Sequence, residues 1–231
     1  MKLFCLPYAG GSAVSIYNPW KAKLADADID VIPVELPGRG RRIREACLSS
    51  LREMVEDSCI TVAENCGDEP YGLFGYSMGA LIAYELYYTL KCQGFNTPAR
   101  MLLAAKSPPD VQVKRRLHEL PDEAFKREIC KLGGTPPAVL DDPELAEIFL
   151  PVLRADYTAL ENYEFRPYKE KLRADVSILY GMDDDTTEDN IGGWDRFAAN
   201  PCRFYAFSGG HFFIKEETAI LNEIRAIAGT K

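Results

Sequence analysis

Gly75-Tyr76-Ser77-Met78-Gly79 has the form G-x-S-x-G. A serine hydroxyl attacks a carbonyl well only when a neighbouring base takes its proton. It must also stand clear of the backbone, which a sharp strand-to-helix turn achieves. The residues two before and two after the serine then crowd against strand and helix, so glycine fits best there. With nine serines and 17 glycines in 231 residues, the pattern arises by chance in about one such chain in twenty. Its context adds weight. An apolar run, 71–74, precedes it, a long apolar stretch follows, and Ala80 is small enough for close helix–strand packing. Ser77 is the expected nucleophile.

The chain has only two histidines, His118 and His211, so a base has two candidates and a multi-histidine metal site is nearly ruled out. Where a serine sits on such a turn in an α/β sheet, the acid and then the histidine follow it along the chain. That order selects His211, in Ser208-Gly209-Gly210-His211-Phe212-Phe213, between a strand-like run and the last helix-like run. His118 has no acid-bearing strand end before it and reads as a surface or lid residue. The acid should follow a strand upstream of His211, and Tyr180-Gly181-Met182-Asp183-Asp184-Asp185 fits. G-x-x-D spacing from Gly181 favours Asp184, with Asp183 as the alternative. Its task is to hold the imidazole in the right tautomer and stabilise the imidazolium. Two donors must also face the developing oxyanion. The backbone N–H of Met78 is one; the loop Pro7-Tyr8-Ala9-Gly10-Gly11-Ser12 supplies the other, from Ala9 or from Tyr8.

These residues need a scaffold that delivers them to one edge. Short, continuously apolar runs at 3–6, 30–36, 71–75, 100–105, 176–180 and 203–207 read as strands covered on both faces. Helical stretches lie at 51–64, 78–92 and 216–228, the second stopping before Gly94. The alternation predicts an α/β fold with a mostly parallel, doubly wound sheet in a single domain over 1–231. Residues 106–171 break the rhythm, with no convincing strand, a helix start at Leu120-Pro121-Asp122-Glu123 and a helical run from 143 to about 164. An insertion of this kind between two strands is expected to be a helical lid; the alternative is an ordinary helical layer of the core.

Composition narrows the classes further. The chain is 47% hydrophobic and 27% charged, ordinary for a globular protein. Its net charge of −8 argues against a general nucleic-acid binder. No apolar run approaches a membrane span, and the first residues lack the body of a signal peptide. The seven cysteines are odd in number and show no CxxC spacing, so they read as small buried hydrophobes of a cytoplasmic protein.

Taken in order, Pro7–Ser12, Glu35-Leu36-Pro37-Gly38-Arg39-Gly40, Gly75–Gly79, Leu132-Gly133-Gly134, Arg154-Ala155-Asp156-Tyr157, Gly181–Asp184 and Gly209–Phe213 resemble the type II thioesterases. These are the stand-alone editing thioesterases of non-ribosomal peptide and polyketide synthesis. The resemblance runs from about residue 3 to about 227. It implies an α/β-hydrolase fold with a mobile lid, a Ser77–Asp184–His211 triad and no metal or bound cofactor. It implies as partner an acyl or peptidyl carrier protein with a phosphopantetheine arm, whose acyl or aminoacyl thioester is hydrolysed. Tyr76 stands where many members carry histidine. A monomer is expected, with no nucleic-acid or membrane partner. Carrier domains are generally acidic, so local basic clusters would have to meet them. Arg39, Arg41, Arg42 and Arg44 form one such cluster, and Lys114, Arg115 and Arg116 form another. The rival readings are a medium-chain fatty acyl thioesterase, a carboxylesterase or lipase, and a catalytically dead hydrolase used as a scaffold.

Overall fold

The computed structural model describes residues 1–111, 115–187 and 190–229. Six strands form one sheet: β1 (Lys2–Leu6), β2 (Asp30–Pro33), β3 (Tyr71–Tyr76), β4 (Arg100–Ala104), β5 (Asp175–Gly181) and β6 (Arg203–Phe207). Their order is β2-β1-β3-β4-β5-β6, and every neighbouring pair is parallel. The register aligns Leu6 with Gly75, Tyr76 with Ala104 and Gly181 with Phe207. The strands therefore end together, and the loops that follow gather along one edge. In open α/β sheets, that carboxyl edge is where sites form.

Successive strand residues serve opposite faces. Leu3, Cys5, Leu102 and Ala104 pack beneath α1 (Ala13–Leu24) and α7 (Glu217–Gly229). Phe4, Leu6, Met101 and Leu103 pack beneath α2 (Leu51–Asn65) and α3 (Met78–Cys92). Because both faces are covered, the strands carry the unbroken apolar runs seen in the sequence. Four cysteines, Cys5, Cys59, Cys66 and Cys202, are buried; Cys47 and Cys130 are half-buried and Cys92 is exposed, so the buried reading holds for only part of the set.

Helix α1 has no counterpart among the expected elements. Pro19 lies inside it and disguises it as a loop. Its start is secured from two sides. The Ser12 hydroxyl caps Ser15 N–H, and the buried Glu35 carboxylate accepts from Ser12 Oγ at 2.7 Å, Ala13 N–H at 2.8 Å and Val14 N–H at 3.3 Å. A carboxylate at a helix N-terminus satisfies otherwise orphaned donors. The same contact shortens the second strand. It ends at Pro33 instead of running to residue 36, because Val34–Leu36 turns inward to deliver Glu35 to α1.

Between β4 and β5 the described residues contain no strand. They form α4 (Asp122–Lys131), α5 (Pro137–Asp141) and α6 (Pro143–Glu161). Leu117, Phe125, Ile129, Leu140 and Leu153 make a separate apolar cluster there, apart from the two flanking the sheet. Among the described residues, no helix is long and apolar enough to cross a membrane.

Phe74 is fully buried and meets Tyr17 and Trp20 of α1 edge-to-face, with centroids 5.8 and 5.3 Å away. Phe74→Ala should cost about 3–5 kcal/mol of unfolding free energy, read as a lowered midpoint in urea denaturation at unchanged m.

Candidate active site

Ser77 joins β3 to α3 with φ 54° and ψ −110°, in the left-handed region that non-glycine residues avoid. The chain can turn this tightly because of its two glycines. A Cβ on Gly75 would lie 2.2 Å from the Gly79 carbonyl oxygen, and one on Gly79 would lie 2.3 Å from the Leu6 oxygen. Ser77 N–H donates to Ala104 O at 2.8 Å, which ties the turn to the neighbouring strand. Met78 is the first residue of α3, where backbone N–H groups have no intrahelical acceptor.

Three side chains form a line at this edge. His211 Nε2 lies 2.9 Å from Ser77 Oγ, and His211 Nδ1 lies 2.9 Å from Asp184 Oδ2. Of the three consecutive aspartates only Asp184 is buried; Asp183 and Asp185 are exposed. Burial pushes the Asp184 carboxyl up, but hydrogen bonds and charge from His211, with the bonds from Thr186, outweigh it and hold the group below its usual value. Asp184 therefore stays an ionised acceptor facing the ring.

Two contributors escape a reading of the sequence. Thr186 donates to Asp184 Oδ1 through its N–H at 3.0 Å and its hydroxyl at 2.7 Å, and the hydroxyl also lies 3.1 Å from His211 Nδ1. A threonine two residues beyond an aspartate is a common side-chain turn and carries no distinctive sequence signal. Tyr76, beside Ser77, donates its hydroxyl to His211 O at 2.6 Å and accepts from Ile214 N–H at 3.1 Å. It therefore fixes the backbone that carries the histidine. The loops that carry Asp184 and His211 also touch directly, since a Cβ on Gly181 would lie 2.5 Å from Gly210 O.

The loop 7–12 is held by a buried ion pair. Arg39 donates to both oxygens of Asp156 at 2.6 and 2.7 Å, and the two side chains are 5% and 0% exposed. Asp156 Oδ2 also accepts Gly10 N–H at 2.7 Å. From the same face of α6, Leu153 covers Gly10, whose φ is +79° and whose Cβ would fall 2.4 Å from Leu153 Cδ2. Gly11 N–H donates to Tyr8 O. Among the described residues, the N–H groups of Ala9 and Tyr8 meet no acceptor. The expected donors thus lie on a loop whose next peptide is clamped.

Other expected residues are placed differently. His118 lies in the insertion but is only half-buried, not freely exposed. Its Nδ1 is 2.5 Å from Glu161 Oε2, and Leu117 and His118 N–H groups donate to the same carboxylate. Two of the four arginines expected to face a carrier are engaged inside the protein. Arg39 is buried on Asp156, and Arg42 forks to Asp57 and Glu45 while donating to Glu35 O. Arg41 and Arg44 are exposed. In the second cluster Arg115 is exposed, Arg116 pairs with Glu119 at 3.1 Å, and Lys114 lies outside the described residues.

Removing one member of a buried pair strands its partner's charge. Asp156→Ala should therefore destabilise the fold by about 3–5 kcal/mol, and Arg39→Met in the same chain should recover part of the loss. A double-mutant cycle by denaturant unfolding measures this.

A family profile described as "Thioesterase domain" matches residues 1–228. The chain is 33% identical to the probable cadicidin biosynthesis thioesterase of Streptomyces griseus over 96% of its own length, spanning 60% of that relative. It is 33% identical to the gramicidin S biosynthesis protein GrsT of Aneurinibacillus migulanus, covering 94% of this chain and 84% of GrsT. Among solved structures, ClbQ from the colibactin NRPS/PKS pathway superposes with a TM-score of 0.91 at 33% identity, over 97% of this chain and 95% of ClbQ. With the profile spanning nearly the whole chain, this protein belongs to the thioesterase family.

Proposed function

We propose that this protein is a type II thioesterase. It hydrolyses acyl or aminoacyl thioesters from the phosphopantetheine arm of carrier proteins and so clears misprimed or stalled assembly lines in the cytoplasm. The observation that carries this reading is the continuous line from Ser77 Oγ through His211 to the buried Asp184, with 2.9 Å at each step. In the first half-reaction the Ser77 oxygen bonds to the thioester carbonyl carbon while its proton passes to His211 Nε2. The Met78 and Ala9 N–H groups receive the oxyanion. The carbon–sulfur bond then breaks, and the imidazolium returns the proton to the departing thiolate. In the second half-reaction His211 takes a proton from water, whose oxygen attacks the acyl-serine, and Ser77 leaves with the proton restored. Asp184 remains ionised throughout and stabilises the imidazolium.

Residues 106–171 act in this reading as the lid, and two of its parts differ in how they are fixed. Helix α6 is tethered by the Arg39–Asp156 pair. Helices α4 and α5 pack on an apolar cluster that they share with Leu153 of α6. The turn between them reaches the active-site loop, since Gly134 lies so close to Phe212 that a Cβ would fall 2.2 Å from its ring. The Leu132-Gly133-Gly134 segment thus seats the lid beside the base.

The reading is tested with an acyl-carrier substrate and its small acyl-N-acetylcysteamine counterpart. Ser77→Ala should lower kcat on both by at least about 10⁴-fold. Wild-type preference for a matched oxygen ester over the thioester would instead favour a carboxylesterase.

Arg41 and Arg44 supply exposed positive charge on the loop that follows β2. Reversing both to glutamate should raise KM for the carrier substrate severalfold, more at low salt, and leave the small thioester unchanged. An equal effect on the two substrates would remove these arginines from the docking surface.

A further inference from the structure

The residue after β4 shares the backbone strain of Ser77. Ala105 has φ 52°, and among the described residues only Asp28, Ser77 and Ala105 carry a side chain at positive φ. Ser77 and Ala105 follow neighbouring strands, and Ser77 N–H donates to Ala104 O. Strain of this kind gathers at functional sites and persists where the surroundings overdetermine it. Here Ala105 N–H donates to Leu179 O at 2.9 Å, and Lys106 O accepts the indole N–H of the buried Trp194 at 2.8 Å. Pro108 and Pro109, both buried, come next. A proline restricts the residue before it as well as itself, so Ser107 has little freedom on either side.

Ser107 is 4% exposed, and its hydroxyl donates to Thr186 O at 2.9 Å. That contact is the outside support of the Asp184 turn. Before Asp184, the loop is tied to the exit of β6, by Met182 N–H to Phe207 O and Asp183 N–H to Gly209 O. From Asp184 to Thr187, the hydrogen bonds among the described residues stay within the loop, save those to His211 and the one from Ser107. Thr186 is exposed, so its bonds to Asp184 compete with water. The tie to Ser107 reaches it from the interior.

A hydroxyl has one proton to give. Thr186 gives it to Asp184 Oδ1 at 2.7 Å, so it faces His211 Nδ1, 3.1 Å away, as an acceptor. Asp184 Oδ2 is a second acceptor on that nitrogen, at 2.9 Å. Two acceptors favour the ring proton on Nδ1, which leaves Nε2 free to receive the proton of Ser77 Oγ.

We propose that Ser107 is a positioning residue: by holding the Thr186 carbonyl, it keeps the Thr186 hydroxyl and Asp184 aimed at His211 Nδ1 and so fixes the tautomer of the base. This rests on the hydrolytic reading above. The bonds then close a ring from Ser77 N–H through Ala104, Ser107, Thr186, Asp184 and His211 back to Ser77 Oγ. The exit of β4 supports both ends of the line.

Two measurements test this, one with turnover and one without. Ser107→Ala should lower kcat for acetyl-N-acetylcysteamine about tenfold at unchanged KM. Ser107→Thr keeps the hydroxyl and should restore most of the loss. Thr186→Val should lower kcat as well, and adding Ser107→Ala to it should cost less than Ser107→Ala alone, because the two act along one route. In protein labelled with 15N-histidine, the wild type should show His211 as the Nδ1–H tautomer, and Ser107→Ala should show a mixture. His118 is the internal control, and its signals should not move. Ser107→Cys, a weaker donor of similar size, takes the place of Ser107→Ala should that variant not fold. Wild-type kcat and His211 signals in the folded variant overturn the proposal, as do losses from Ser107→Ala and Thr186→Val that multiply in full. A wild type inert towards thioesters fails the thioesterase reading instead, and the His211 signals still test Ser107.

Discussion

Helix α3 meets the sheet edge closely enough to hold a serine in a left-handed conformation because nothing larger than hydrogen projects at positions 75 and 79. Strain of this kind costs on the order of 1–3 kcal/mol and persists only where the surroundings overdetermine it. Here they do. The helix is buried along most of its length, Ser77 N–H is bonded to β4, and the Gly79 Cα is pressed against the end of β1. That last contact has a second effect. It puts the loop leaving β1 beside the helix N-terminus, so Ser77 and the expected oxyanion donors are brought together by one packing event. The parallel register then brings the ends of β5 and β6 to the same edge, where the Asp184 and His211 loops touch backbone to backbone.

Charge placement completes what packing begins. Glu35 and Asp156 are both buried carboxylates; Glu35 accepts the Ala13 and Val14 N–H groups of the first turn of α1, and Asp156 accepts Gly10 N–H from the segment before it. One secures the start of the helix, the other the peptide beside the expected oxyanion donor. Asp156 needs Arg39 as a counter-ion, since an isolated carboxylate at that depth would be too costly to keep ionised. The arrangement also binds α6, within the inserted segment, to the loop after β2. A change in α6 would therefore reach the oxyanion loop directly, whereas α4 and α5 contact the active-site loops through Gly134 and Phe212.

Much of this was legible in the residues. The six strands follow from unbroken apolar runs, and the serine, histidine and acid follow from chain order because a parallel sheet returns each strand end to one edge. The spacing from Gly181 separated Asp184 from its neighbours for a physical reason: Gly181 must have no side chain where the loops touch, and the chain then turns Asp184 inward. Helix α1 was hidden because Pro19 reads as a breaker when seen without the tertiary contacts that tolerate it. Thr186 and the roles of Tyr76, Glu35 and Asp156 were hidden because each depends on a partner that chain order alone does not reveal. Asp156 and Gly10 are 146 residues apart, and no local pattern links them.

The same long-range pairing corrects the first view of the charge distribution. In the sequence, four arginines at 39, 41, 42 and 44 look like one basic patch on an acidic chain. In the fold they divide by function. Arg39 and Arg42 each fork onto carboxylates, and their charge is spent within the protein. Arg41, between these anchors, and Arg44, just past the second, are exposed. A loop fixed at two positions presents its exposed cations with little freedom to rearrange, so less ordering entropy opposes contact with a partner. A net charge of −8 works against long-range attraction of an acidic partner wherever basic groups are not clustered. Under the proposed carrier docking, Arg41 and Arg44 would supply short-range positive contacts on a loop held by the bonds of Arg39 to Asp156 and of Arg42 to Asp57 and Glu45.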